Sequence, residues 1–318
     1  MRDRITRRHF LAAAVAAGAA TAACPARCEA AYRTRLYKAM IANPTDEELR
    51  RHKEAGFDGL ETSRWNVSPD EATQARKRAD AAGMKIHSVL FGWANFNHKE
   101  KVAQDLANVE KALRAAAAYG ATALLLVPCR VGGMPIPEAW EFQIDFDDRT
   151  GHVRRVVAGD NAKYQAYIEA HNQAIDASRS AVEKLIPTAE KTGVIIALEN
   201  VWNNLWVKPA LFAHFVKSFQ CRWVQSYFDI GNHVKYAPPE EWIRALGKTI
   251  VKFHVKDFKL NPDGRGGKFV HPRDGSVNWP AVRQEIENIG YNGFLTIEDG
   301  GLALEEFSRR LDLIIAGK

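Results

Sequence analysis

Four polar residues stand at the ends of apolar runs in the second half of the chain. They are Glu199 in Ala197-Leu198-Glu199-Asn200, Asp229 in Tyr227-Phe228-Asp229-Ile230-Gly231-Asn232, His254 in Phe253-His254-Val255-Lys256-Asp257, and Glu298 in Thr296-Ile297-Glu298-Asp299. Three carboxylates and one imidazole suit an octahedral Mn²⁺ or Mg²⁺, or a similar divalent ion such as Co²⁺ or Zn²⁺, with positions left for substrate oxygens. A closed structural zinc site would draw on cysteines instead. A lone Asp or His at a strand end often only caps a helix or satisfies a loop. Four in step on successive strands point to one shared centre.

The chemistry of such a centre is proton transfer beside a carbonyl. A carbon flanked by ketone and hydroxyl oxygens, both held on a divalent ion, is acidic enough for a carboxylate to take its proton and leave an enediolate. A second carboxylate on the opposite face can return one. Return to the same carbon epimerises it, and return to the neighbouring carbon exchanges ketose and aldose. Glu199 and Glu298 are the candidates for both transfers, and Lys256 either assists them or stands as a solvated strand-end lysine. Glu61 and His87 end earlier runs and are candidates to hydrogen-bond sugar hydroxyls, against a role in packing or loop bonding. Trp93 and Trp202 follow the third and fifth runs, where an aromatic wall for a sugar face is expected if they are not simply core.

Positioning these residues requires strands that all point the same way. Five times a helical stretch ends in glycine and passes at once into an apolar run, at Gly56, Gly83, Gly120, Gly193 and Gly290. Thr45 with Glu48 and Ser68 with Glu71 read as capping boxes at helix starts, the second with Pro69 at the first helical position. The strands are predicted at 36–41, 59–62, 85–90, 123–127, 194–199, 225–229, 251–255 and 294–298. Eight strands alternating with helices give a (β/α)8 TIM barrel, an α/β fold whose sites lie at the C-terminal strand ends. A doubly wound open sheet is the alternative, but no Gly-rich phosphate fingerprint follows the first strand.

One segment, 132–160, is too long for an ordinary loop after the fourth strand. Phe142 to Phe146 alternates, Asp148-Arg149-Thr150-Gly151 can turn, and His152 to Val157 returns, so a hairpin is expected. It is predicted to overlie the barrel mouth as a lid, an oligomer contact or plain decoration.

Residues 1–30 read as a removable leader. Arg7-Arg8 precede an apolar, alanine-rich run from Leu11 to Ala23, the layout of a twin-arginine export signal, and that run is too short to span a bilayer. Export to the periplasm follows, with membrane attachment only if Cys24 were lipidated. Residues 31–318 then form a single domain of the size expected for one barrel. The formal charge of +6 shrinks once Arg2, Arg4, Arg7 and Arg8 leave with Asp3, and no basic tract remains, so nucleic acid is not an expected partner. Cys129 and Cys221 fall at opposite barrel ends and are not expected to pair.

The motifs LEN, FDIGN, FHVKD and TIED resemble those of the sugar phosphate isomerase/epimerase group, the xylose isomerase-like TIM barrels, over essentially all of the chain from Leu36 onward. The stretch Glu199 to Asn204, with Asp229 to Asn232 and His254 to Asp257, is most similar to the hexulose-phosphate isomerase-like and pentulose-phosphate 3-epimerase-like branch. The resemblance implies one divalent metal on Glu199, Asp229, His254 and Glu298, with the two glutamates also moving the proton, and puts Asn232 near the substrate. Members often carry Gly-Glu-Gly after the seventh strand. This chain reads Arg273-Asp274-Gly275-Ser276 there, so a contact made by that glutamate is not implied. A free ketose, a keto-glycoside or another oxidised sugar suits an exported member better than a sugar phosphate. A lyase or dehydratase on a keto-sugar or inosose, a phosphodiesterase and a non-catalytic sugar binder are the alternatives, and a homo-oligomer is compatible with the sequence.

Overall fold

The computed structural model describes residues 32–318. The leader, with Cys24 and Cys28, lies outside the described residues. One compact unit spans Thr34–Lys318. In chain order its strands are β1 (Leu36–Ile41), β2 (Gly59–Thr62), β3 (Lys85–Trp93), β4 (Ala123–Val127), β5 (Asp145–Phe146), β6 (Val153–Arg155), β7 (Ile195–Glu199), β8 (Val224–Asp229), β9 (Ile250–Val255), β10 (Asp257–Leu260), β11 (Gly267–Val270) and β12 (Gly293–Ile297). The helices are α1 (Asp46–Glu54), α2 (Pro69–Ala81), α3 (Lys99–Tyr119), α4 (Gln165–Thr192), α5 (Pro209–Ser218), α6 (Pro239–Leu246), α7 (Trp279–Asn288) and α8 (Leu304–Ile315). Strands β1, β2, β3, β4, β7, β8, β9 and β12 pair in that order and close into a barrel, every pairing parallel.

Local signals explain most helix ends. Thr45 accepts from the Glu48 amide at 3.2 Å and Ser68 from the Glu71 amide at 3.1 Å. The glutamate halves of the two boxes turn outward instead, Glu48 to Arg51 and Glu71 to Arg64. Gly120 and Gly193 end α3 and α4 in the left-handed region, at φ 78° and 71°, where a Cβ would be strained.

Strand β4 is buried on both faces along its whole length, as its apolar Ala123–Val127 run requires. Outward side chains such as Leu124, Leu126, Ile196, Leu198, Phe228 and Ile297 join Leu113, Val182, Phe212, Trp242 and Leu311 of the helices in one core. Each such burial contributes roughly 1.5–3 kcal/mol. Inside the barrel the apolar cluster is small, consisting of Ala123, Leu125, Val127, Ala197 and Tyr227. The opposite half of the interior is polar and buried: Glu61, His87, Lys252, His254 and Thr296.

The inserted hairpin forms, with β5 antiparallel to β6, but it does not cover the mouth. Its tip runs down the flank of the barrel. His152 Nε2 meets Asp176 midway along α4 at 2.7 Å, and His214 Nε2 of α5 reaches the Asp148 carbonyl at 2.7 Å. Phe146 packs edge-on to His214, and Val153 and Val156 are buried. The apolar groove between α4 and α5 thus draws the hairpin outward, and only its root, near Ile136 to Trp140, stays at the mouth. Cys129 and Cys221 are both free thiols. No helix among the described residues is long and apolar enough to cross a membrane.

Several histidines are buried as hydrogen-bonded neutral rings. His52 Nδ1 lies 2.7 Å from the Glu48 carbonyl, His171 Nε2 is 2.9 Å from that of Leu205, and His233 Nε2 is 3.0 Å from that of Val201. Burial, aided by Lys235 and opposed by the Val201 carbonyl, pushes the His233 imidazole down to about 3. Between pH 6.5 and that value the unfolded chain binds a proton that the folded chain refuses. Stability is therefore lost as pH falls through this window, by up to about 1.4 kcal/mol per pH unit. Denaturant unfolding at pH 7.5 and 5.5 should show the wild type losing about 1 kcal/mol more than His233→Gln; equal losses would contradict a neutral buried His233.

Candidate metal centre

Strand register brings the four donors to one level. Glu199 of β7 pairs with Tyr227 of β8, Asp229 of β8 pairs with His254 of β9, and His254 pairs with Thr296 of β12. Side chains alternate, so Glu298 follows Thr296 onto the same inner face just beyond the strand. One ligand atom from each of Glu199, Asp229, His254 and Glu298 lies within 4.8 Å of every other. The imidazole Nδ1 of His254 is the hub, 3.1 Å from Glu199 Oε1, 2.7 Å from Glu298 Oε2 and 4.0 Å from Asp229 Oδ2. Asp229 and His254 are wholly buried, while the Glu298 side chain keeps 29% of its surface and opens the group toward the mouth.

The backbone around the donors is fixed by short local bonds. Asp229 Oδ1 accepts from the amides of Gly231 and Asn232 at 2.8 and 2.7 Å, which leaves Oδ2 to face the centre. Asn200 clasps the Asp229 backbone, accepting from its amide at 2.6 Å and donating to its carbonyl at 2.8 Å. Gly231 is needed for close approach: a Cβ there would sit 2.6 Å from the Lys256 Cβ. Asp257 is not a donor to the centre. Its buried carboxylate accepts from the amides of Arg273, Gly275 and Val277 and from the Trp279 indole at 2.9 to 3.2 Å, tying down the loop that precedes α7.

Crowding three carboxylates in a buried space perturbs all of them. Burial, with the charges of Glu298 and Asp229, raises Glu199 to about 7 despite its bond to His254. Burial likewise raises Asp229 against the pull of Lys256. Glu298 goes the other way, to about 2, because His254 and Lys256 outweigh its burial. Burial disfavours charge on His254, but Glu298, Glu61 and the bonds to Glu199 and Glu298 hold its pKa well above the ordinary value. Lys256 Nζ lies 2.9 Å from Glu298 Oε2 and 3.4 Å from Asp229 Oδ2, and these carboxylates overcome burial to raise its pKa.

The donor set fits a divalent ion. Asp229 Oδ2 is buried without a hydrogen-bond partner, and Glu298 Oε2 is met only by the charged His254 and Lys256 nitrogens at 2.7 and 2.9 Å. Buried oxygens left in this state are costly unless a cation completes them.

The remaining sequence-derived candidates distribute unevenly. Asn232 is at the centre, with Oδ1 3.4 Å from Lys256 Nζ and Nδ2 donating to the Asn200 carbonyl at 3.0 Å. The Trp202 indole donates to the Asn232 carbonyl; its ring has Lys235 Nζ 3.4 Å from its centroid and Phe269 at 5.0 Å. Trp93 ends β3 at 42% exposure, with the Arg130 guanidinium 4.4 Å from its ring. Glu61 and His87 need correction, because neither reaches the mouth. Glu61 is fully buried beneath His254, and His87 lies near the start of β3, stacked on Phe294 at 4.2 Å and bonded to Thr296 Oγ1 at 3.0 Å. Strand β3 runs on to Trp93, past the predicted end at residue 90, so His87 lies deep in the barrel. Reading the sequence alone missed the roles of Asn200, Tyr227 and Asp257. Asn200 directly follows Glu199, and a carboxamide at a strand end is a recognisable positioning signal; Tyr227 offers none.

Solved structures share this architecture. A 3-keto-D-glucoside 4-epimerase from E. coli superposes with TM-score 0.65 at 14% identity, covering 89% of this chain and all of that one. Mannonate dehydratase from Streptococcus suis serotype 2 gives TM-score 0.65 at 13% identity, covering 89% of this chain and 95% of that one. At such identities the likeness is one of fold. An uncharacterized protein of Methanocaldococcus jannaschii is 26% identical over 134 residues, 40% of this chain, and the match spans only 44% of that relative. The pattern of conserved positions that defines a family matches residues 49–309, and on that match the chain belongs to the xylose isomerase-like TIM barrel family.

Proposed function

We propose that the chain is a divalent-metal-dependent sugar isomerase or epimerase that moves a proton beside the carbonyl of a ketose or keto-sugar derivative. The observation that carries this reading is the convergence of two glutamates with Asp229 and His254 within 4.8 Å at the barrel mouth. Bound by these four residues, a divalent ion, with Mn²⁺ the best match to an oxygen-rich set, would supply the Lewis acidity that makes the carbon acid reachable at neutral pH.

The protein's own part is acid–base work and orientation. Glu199 and Glu298 approach from different strands, β7 and the end of β12, so each can address one face of a flat enediolate. For one configuration at the reacting carbon, the glutamate on that face takes the proton and the other returns one; for the epimer the roles reverse. Lys256, held as an ammonium beside Glu298, and Asn232 are placed to orient substrate oxygens. The strand-end motifs favour the hexulose-phosphate isomerase and pentulose-phosphate 3-epimerase-like branch for the reaction. The leader motif supports export to the periplasm, and with it an unphosphorylated substrate.

Metal-loaded protein incubated in D₂O with a panel of free ketoses and keto-glycosides should place deuterium in recovered sugar and in its epimer or isomer. Glu199→Gln and Glu298→Gln should each reduce that exchange by a factor of about 10² to 10⁴; full exchange in either variant would refute the two-glutamate scheme. Loss of water or of an aglycone in place of epimer formation would move the assignment to a lyase, which uses the same enediolate. The metal is tested separately by melting. Saturating Mn²⁺ should raise the wild-type melting temperature, since ligand at a hundredfold over Kd adds about 2.7 kcal/mol. Asp229→Asn should abolish most of that increase, and an undiminished shift in this variant would place the ion elsewhere.

A further inference from the structure

Glu61 is a buried carboxylate that the proton-transfer scheme does not use. It comes from β2, and its side chain crosses the polar half of the barrel interior to reach β8 and β9. Glu61 Oε2 lies 3.1 Å from His254 Nε2 and accepts the hydroxyl of Tyr227. The Tyr227 and His254 rings are themselves in contact, with centroids 4.4 Å apart.

The two nitrogens of His254 thus face different worlds. Every donor oxygen of the candidate centre lies on the Nδ1 side, at 2.7 to 4.0 Å. On the Nε2 side there is Glu61. A neutral imidazole carries one proton, and Nδ1 can offer a lone pair to a cation only if that proton sits on Nε2. Glu61 is the acceptor that holds it there, and the Tyr227 hydroxyl keeps the accepting oxygen in place.

We infer that Glu61, braced by Tyr227, is a positioning residue that sets the tautomer of His254, directs Nδ1 to the metal and raises its basicity. The inference rests on the metal reading of the cluster. A purely architectural account fits less well, because Glu61 Oε1 is buried without a hydrogen-bond partner. A glutamine would give the same bond to Nε2; what the carboxylate adds is an acceptor shared between His254 and Tyr227 beside the buried Lys252. Outer carboxylates of this kind typically change metal affinity by about 10- to 100-fold.

The test uses Zn²⁺ as the probe ion on full-length protein. Affinity is measured by chelator competition, and the His254 ring by ¹⁵N chemical shifts in the zinc-loaded state. Wild type should show a metal-bound Nδ1 and a protonated Nε2. Glu61→Gln, which keeps an acceptor but not the charge, should bind Zn²⁺ about tenfold more weakly with the same tautomer; Glu61→Leu should lose about 100-fold. The metal-free melting temperature of Glu61→Gln should stay near that of wild type, which separates positioning from folding and keeps the test decisive if Glu61→Leu fails to fold. Zinc on Nε2, or affinities within twofold of wild type in the variants, would overturn the inference while leaving the metal centre standing. A wild-type protein that takes up no divalent ion would defeat the metal reading, and this inference with it.

Discussion

The barrel mouth is organised around one electrostatic problem: three carboxylates must share a buried space with a single imidazole. Two like charges about 4 Å apart repel by about 4 kcal/mol at an effective dielectric of 20, before any cost of desolvation. The surrounding structure is arranged to bear that load. Asn200 grips the Asp229 backbone, the Gly231 and Asn232 amides take one carboxylate oxygen, and Lys256 lies against Asp229 and Glu298. Glu199 and Glu298 are displaced in opposite directions for different reasons: burial and the neighbouring carboxylates raise Glu199 to about 7, while His254 and Lys256 outweigh burial and lower Glu298 to about 2.

That arrangement depends in turn on the asymmetry of the barrel interior. Most barrels of this kind fill their centre with branched apolar residues. Here only one side does so, with Ala123, Leu125, Val127, Ala197 and Tyr227. Glu61, Lys252, His254 and Thr296 fill the other, and His87 closes it from below through Thr296 and Phe294. A buried polar network fixes geometry more narrowly than apolar packing, because each group admits few partners and leaving one unpaired is costly. The donor atoms therefore rest on a floor that resists repacking.

The sequence disclosed the parts of this plan that are local. The apolar runs, the glycine stops and the Ser/Thr caps mark the strands and helices, and parallel strands force their C-terminal residues to one end. Glu199, Asp229, His254 and Glu298 could thus be grouped by position alone. Direction and depth were harder to read. Whether Glu61 points to the mouth or under His254 depends on Tyr227, 166 residues away, and no local pattern encodes that contact. His87 was misplaced because β3 continues to Trp93. The inserted hairpin was recognised, but its resting place is set by the groove between α4 and α5, a tertiary feature. The β10–β11 hairpin was overlooked although Asn261-Pro262-Asp263-Gly264 is a strong turn signal between alternating runs.

On the proposed function, substrate choice would fall to the loops around the centre and not to the donors. The root of the insertion, the Trp202–Asn204 segment, Lys235–Tyr236 and the β10–β11 hairpin enclose a cavity of about 410 Å³ beside the centre, lined by Trp140, Trp202, Tyr236 and Phe258 with Glu138 and Lys235. None of the four donors lines this cavity, and Trp202 links it to Asn232 beside them. The proposed donors can therefore stay constant while the cavity changes. The fate of an enediolate follows from what the cavity holds near it: with the second glutamate over the carbon, the proton returns and the centre inverts. With a hydroxyl or glycosyl oxygen on the adjacent carbon held in line with the same electron pair, that group leaves. One barrel and one set of donors are thus compatible with epimerase and dehydratase chemistry alike, and on the proposed function the choice between them would be one of substrate orientation.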